Sequence, residues 1–247
     1  MNGNDPLAML DDARKPAAEV LAALPVFPLP NAVLLPGMVL PLNVFEGRYL
    51  ELVDHVRNGG GHLGIPLLQP GYEADYEGRP AIEPVFGLGR LASHQRLPDG
   101  RRFIRVEGLG RVRVKQELPP RVSFRELAVE VLPEPAPGDV HQLDVLHAQL
   151  ERISGTLGPD DAHMVESVLR IADVGLKLYA ITAIMPTLGF LAHGNRISNG
   201  RAALLDFQQQ SLAADDGDTR VEVLIECAAG ICDEMADSGR WPKRMLN

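Results

Sequence analysis

Three prolines and a glycine fall within six residues, Pro133–Gly138, and neither a helix nor a central strand can run through them. The break separates two stretches with different hydrophobic periods. Before it, apolar residues come in short alternating runs; beyond it, they recur three and four positions apart. The 247-residue chain is accordingly read as a loose N-terminal arm (1–22), a β-rich domain (23–132), a linker (133–138) and a helical domain (139–247). The expected class is α+β, with enough chain for two cores.

Within the β-rich stretch, Pro25, Pro28, Pro30, Pro36 and Pro41 forbid a helix and suit short or edge strands at Leu24–Leu29 and Met38–Val44. Glu46–Arg57 is the one helical pattern, with Tyr49, Leu50, Val53 and Val56 as its apolar stripe and Asn58-Gly59 as its end. His62–Leu68 is extended. Glu83–Leu97 and Arg102–Leu118 flank Pro98-Asp99-Gly100, a hairpin signal. Gly-Leu-Gly-Arg occurs at 87–90 and again at 108–111, inside strand patterns, where glycine marks a bend or bulge rather than a nucleotide loop. Val122–Leu132 adds another strand. Short strands with glycine-marked bends predict a small, curled, barrel-like sheet.

Beyond the linker, helices are predicted at Val140–Leu157, Asp161–Ile171, Asp173–Met185, Arg201–Leu212 and Asp218–Ala236, the last capped by Asp218 or Thr219. Cys227 and Cys232 lie five apart on that last helix, on different faces, so no disulfide joins them and a reducing compartment is expected. The N-terminus lacks a basic segment followed by an apolar run. The longest apolar run, Tyr179–Phe190, contains Thr182, Pro186, Thr187 and Gly189 and reads as a buried helix and its end. The expectation is a cytoplasmic protein without a membrane span.

The chemistry sought is thin. No G-x-x-x-x-G-K-[ST] phosphate loop occurs, and the seven histidines show no metal-binding spacing. The adjacent acid pairs Asp160-Asp161 and Asp215-Asp216 diverge, which fits helix starts and loops better than acid–base catalysis. No catalytic residue, metal or cofactor is expected.

Charge is unevenly spread. The net is -9 overall, but -6 over residues 1–89, +7 over 90–125 and -10 over 126–247. Arg102, Arg105, Arg111, Arg113 and Lys115 predict a basic strand face, with Val112 and Val114 on the buried side. Such a face pairs with the protein's own acidic helices, holds an acidic partner, or binds RNA. Only Phe103 and Phe124 are available there for base stacking, which disfavours nucleic acid. Val33, Leu34, Leu35 and Met38 surround a Leu-Pro-Gly turn and are either ordinary core or an apolar patch for unfolded chains.

Leu24 to Tyr49, reading LPVFPLPNAVLLPGMVLPLNVFEGRY, resembles the opening of the Lon protease N-terminal domain, and LPDGRRFIRVEGLGRVRV, Leu97 to Val114, resembles a later hairpin of the same family. Phe45, Glu46, Arg48 and Tyr49 form the variant typical of stand-alone bacterial members, with an architectural role as the first reading and ligand contact as the second. The resemblance covers 24–132, with the helical half alike only in kind. It implies a PUA-like β-barrel followed by helices, and recognition of unfolded or degron-bearing polypeptide without ATP, in the service of a protease. Two alternatives stand beside it. One is RNA binding through the basic face; the other is a small-molecule or enzymatic site between the domains.

Overall fold

Gly87 and Gly108 decide how the N-terminal strands stack. In the computed structural model, which describes residues 14–134, 136–193 and 200–237, a β-carbon on Gly87 would lie 2.1 Å from the Leu34 carbonyl oxygen, and one on Gly108 2.2 Å from that of Leu35. The Leu34–Pro36 backbone therefore rests directly on two strands. Gly108 seals the contact, accepting from Gly37 N–H at 2.9 Å and donating to Met38 O at 2.8 Å. Residues 1–13 of the expected arm, Pro135 of the linker and residues 194–199 lie outside the described residues.

One six-stranded sheet contains β1 (Leu24–Val26), β2 (Val39–Val44), β3 (His62–Ile65), β4 (Val85–Arg96), β5 (Arg102–Glu117) and β6 (Arg125–Val131), in the order β2-β5-β4-β3-β1-β6. β6 also pairs with β5, so the pairings return to β5. β1 runs parallel to β3, and the other pairs are antiparallel. β4 and β5 form the hairpin that Asp99-Gly100 announces, with Gly100 at φ 88°. Every residue of β1 and β3 is buried, so both sheet faces are covered there. Leu24, Val26, Phe86, Leu88, Val112 and Leu127 form one apolar cluster. Ile104 and Val106 belong to another, closed by Tyr49, Leu52, Val53 and Val56 of α2 (Gly47–Asn58). From Arg14 the arm is tied down: its guanidinium pairs with Glu107, its carbonyl meets His62 Nε2 at 3.0 Å, and α1 (Ala18–Ala22) packs Val20 and Leu21 on the core.

The chain divides into two compact units, the first ending at Glu134 and the second beginning at Pro135. The second holds α3 (Val140–Ser154), α4 (Pro159–Leu169), α5 (Val174–His193), α6 (Gly200–Ala213) and α7 (Gly217–Asp237). Leu146, Leu150 and Ile153 of α3 share a core with Leu178, Ile181, Met185 and Leu188 of α5 and Val221, Leu224 and Ala228 of α7. Two local expectations change here. Asp216, not Asp218, caps α7, accepting Thr219 N–H at 2.7 Å, while Asp218 accepts Gly138 and Asp139 N–H at 2.8 and 3.0 Å. α5 does not stop at Met185 but continues through Pro186. Val174–Leu191 has a mean hydropathy of 1.5 and is long and apolar enough to cross a membrane by length and composition alone; its fully buried Leu178, Ile181, Met185 and Leu188 are core here.

Candidate functional site

The start of α2 brings three residues of the Phe45–Tyr49 motif together. Glu46 sits at the N-cap, but its carboxylate bonds no helix N–H. It accepts instead from Arg48 Nε at 3.0 Å and from the Tyr76 hydroxyl at 2.7 Å. Arg48 also donates to the Tyr76 carbonyl through both Nη atoms at 3.3 Å, and its guanidinium lies over the rings of Tyr49 (4.7 Å) and Tyr76 (5.1 Å). Tyr49 stacks on Phe27 with ring centroids 4.1 Å apart. Phe45 stands apart from this cluster, 66 % exposed.

Arg48 and Tyr49 line a cavity of about 280 Å³. One wall is the loop before β4, with Tyr76, Glu77 and Arg79; the other is the approach to β6, with Val122, Phe124 and Arg125. Glu117 of β5 fastens the two walls. It accepts Arg125 Nε at 2.9 Å, Arg125 Nη2 at 2.8 Å and Arg79 Nη1 at 2.8 Å. Arg125 Nη1 donates to the Pro80 carbonyl at 2.7 Å. The Tyr49 hydroxyl has no hydrogen-bond partner among the described residues. Burial pushes it up to about 12, so it stays protonated and able to donate. Burial, together with the bond to Glu46, also raises Tyr76.

The other expected site residues do not gather. Leu34 and Leu35 are core, 1 % and 2 % exposed, with Val33 and Met38 half-buried, because the turn is pressed onto Gly87 and Gly108. The basic strand face is broken up. Arg111 is buried, not solvated, since the whole stretch Gly108–Val112 is covered; its Nη2 donates to the Pro133 carbonyl at 2.9 Å. Arg102 is paired with Asp54, and Lys115 lies 3.7 Å from Glu130. Arg105 is exposed and Arg113 half-buried. Sequence reading missed Tyr76 as the motif's bonding partner and Arg79 and Arg125 as residues of the same cavity. The available signal was a long Gly- and Pro-marked loop, 66–84, carrying two tyrosines and an arginine where a shorter connection would serve.

Residues 23–199 match the family described as the ATP-dependent protease La (LON) substrate-binding domain. The chain belongs to that family. The match passes the Pro-rich break and takes in α3 to α5, so the family's domain is not confined to the β-rich half. The chain is 28% identical over 111 residues to the Lon protease of Cytophaga hutchinsonii, covering 44% of this chain and 13% of that protein. It is 33% identical over 119 residues to the Lon protease of Salinispora arenicola, covering 47% and 14%. It thus spans about an eighth of the length of the curated Lon proteases it matches. The solved N-terminal domain of Mycobacterium avium complex Lon protease superposes with a TM-score of 0.59 at 17% identity, over 84% of this chain and 98% of that one, a likeness of fold. As a Lon substrate-binding domain, the chain is a substrate-recognition module by family.

Proposed function

We propose that this chain binds polypeptide, unfolded or carrying a degradation signal, without ATP and without turnover, and hands it to a protease in the cytoplasm. The observation that carries the reading is the family match over 23–199. The cavity beside α2 is the proposed contact site, because the family motif residues Glu46, Arg48 and Tyr49 line or brace it. In this reading residues 23–132 are a PUA-like barrel, which the return of the strand pairings to β5 supports. Residues 139–247 are a helical bundle beyond a linker at 133–138.

The test is binding of the purified chain to a permanently unfolded protein and to a single-stranded RNA, each at low and moderate salt. Salt-tolerant binding to the unfolded protein alone is expected. Salt-sensitive binding to RNA alone would overturn the reading in favour of a phosphate-binding face.

A further inference from the structure

The cavity beside α2 has an unbalanced stock of hydrogen-bonding groups. The two carboxylates that brace its walls are committed, and only Glu77, at the rim, is not. Glu46 takes bonds from Arg48 and Tyr76, and Glu117 takes three from Arg79 and Arg125. Its donors are not. The Tyr49 hydroxyl bonds nothing among the described residues, and Arg79 uses Nη1 for both of its side-chain bonds, to Glu117 and the Leu118 carbonyl, leaving Nε and Nη2 for another acceptor. Spare donors beside spent bracing carboxylates select a ligand that accepts, and a guanidinium with a free edge matches a planar carboxylate.

The apolar part of the lining comprises Pro28, Leu68, Val122 and Phe124 with the Tyr49 ring. About 280 Å³ is at the small end of ligand pockets, which run from roughly 300 Å³ upward, so it admits one side chain or a chain end rather than a folded surface. Glu77, exposed at the rim, opposes an anion. It provides a control of opposite sign.

We infer that this cavity recognises a peptide carboxylate next to an apolar or aromatic side chain, with Arg79 and Tyr49 donating to the carboxylate and the proline and aromatic walls taking the side chain. The inference rests on the polypeptide-binding reading and names the chemical class of its ligand. The carboxylate comes either from the end of a chain or from an internal Asp or Glu.

Fluorescence anisotropy with the full chain tests it, using three labelled hexapeptides. One ends in Ala-Leu-Phe with a free carboxylate, one is its C-terminal amide, and one is the amide with Glu in place of Leu. Binding of the free acid about tenfold tighter than the amide assigns the pocket to chain ends. Binding restored only in the Glu-bearing amide assigns it to internal acidic residues. Arg79→Gln and Tyr49→Phe each weaken the preferred peptide severalfold, Arg79→Lys recovers part of the loss, and Glu77→Gln tightens binding. A purely structural role for these groups would not move Arg79 and Glu77 variants in opposite directions. Equal binding of all three peptides, or Arg79→Gln without effect on a protein with unchanged circular dichroism, would overturn the inference. An unfolded protein whose carboxylates have been esterified separates the two readings. If it binds as well as the unmodified one, polypeptide recognition stands and the carboxylate inference falls. If neither form nor any peptide binds, both fall.

Discussion

The carbonyl oxygen of Leu35 occupies the place where a β-carbon on Gly108 would stand, 2.2 Å from that ideal position. The crowding atom is backbone, held in place by the two hydrogen bonds that Gly108 exchanges with Gly37 and Met38, so it cannot swing aside as a side-chain tip would. Gly108→Ala is expected to destabilise the chain by about 3 kcal/mol, the upper end of ordinary overpacking. Gly47→Ala is the control. A β-carbon there meets nothing within 4 Å, and the change should be neutral or stabilising by up to ~1 kcal/mol. Urea midpoints of the two variants check the contrast; equal midpoints would show that the turn is not pressed onto β5.

Arg111 and Lys115 share a strand and a charge but not an environment. Arg111 is 2 % exposed and donates to the Pro133 carbonyl, with Glu134 3.9 Å from its Nε; Lys115 is exposed. Arg111→Ala leaves a carbonyl without that donor and removes the packing of a long side chain, an expected loss of about 2–3 kcal/mol. Lys115→Glu disturbs only an exposed pair with Glu130 and should cost less than ~1 kcal/mol. Chemical denaturation of both variants gives the difference directly, and comparable losses would contradict the burial pattern.

Local signals in the sequence carried the order of elements well. Prolines between Pro25 and Pro41 marked strands, Asp99-Gly100 marked the β4–β5 hairpin, and a change of period marked the passage to helices at Val140. What could not be read depends on segments distant in the chain. Leu34 and Leu35 became core because glycines some fifty and seventy residues later clear room for their backbone. Alternation made Arg111 a surface residue, but both faces of β5 are covered around it. The cavity joins α2 to a loop at 76–80 and a strand start at 122–125, and no periodicity within one segment reveals such a meeting. The motif residues Glu46, Arg48 and Tyr49 were visible; their partner Tyr76, and Arg125 in the same cavity lining, were not.

Asp54 gives the acid side of the stability profile a specific contributor. The hydrogen bond from Arg102 holds its carboxyl below the usual carboxylate range. A folded-state value lower than the unfolded one means that the stabilisation is full above the unfolded value, near pH 4, and is lost as the pH falls below it. The side chain is about half exposed, so the contribution is small, under ~1 kcal/mol after solvent screening. Asp54→Asn should lower the urea midpoint slightly at pH 6, and its curve should converge on that of the parent by pH 2.5. Parallel curves down to that pH would rule the pair out as a source of acid sensitivity.

Pro186 lacks the N–H that would bond the Thr182 carbonyl one turn earlier in α5, yet the helix continues to His193. Gln208 of α6 donates its Nε2 to that carbonyl at 3.4 Å, and the Thr182 hydroxyl, bonded to Leu178 O and shared with Ser211 Oγ at 2.8 Å, holds the same turn. Restoring the N–H with Pro186→Ala should stabilise the chain by about 1–3 kcal/mol. Gln208→Ala alone should cost ~0.5–1.5 kcal/mol, because a carbonyl in the helix loses its substitute donor. In the Pro186→Ala background the same change should cost almost nothing, since the helix then supplies the bond itself. The four proteins form a double-mutant cycle, and a coupling of ~0.5–1.5 kcal/mol between positions 186 and 208 is the expected result. Strict additivity in urea titrations would mean that Gln208 does not compensate for the proline, and the continuity of α5 would then rest on its buried apolar side chains alone.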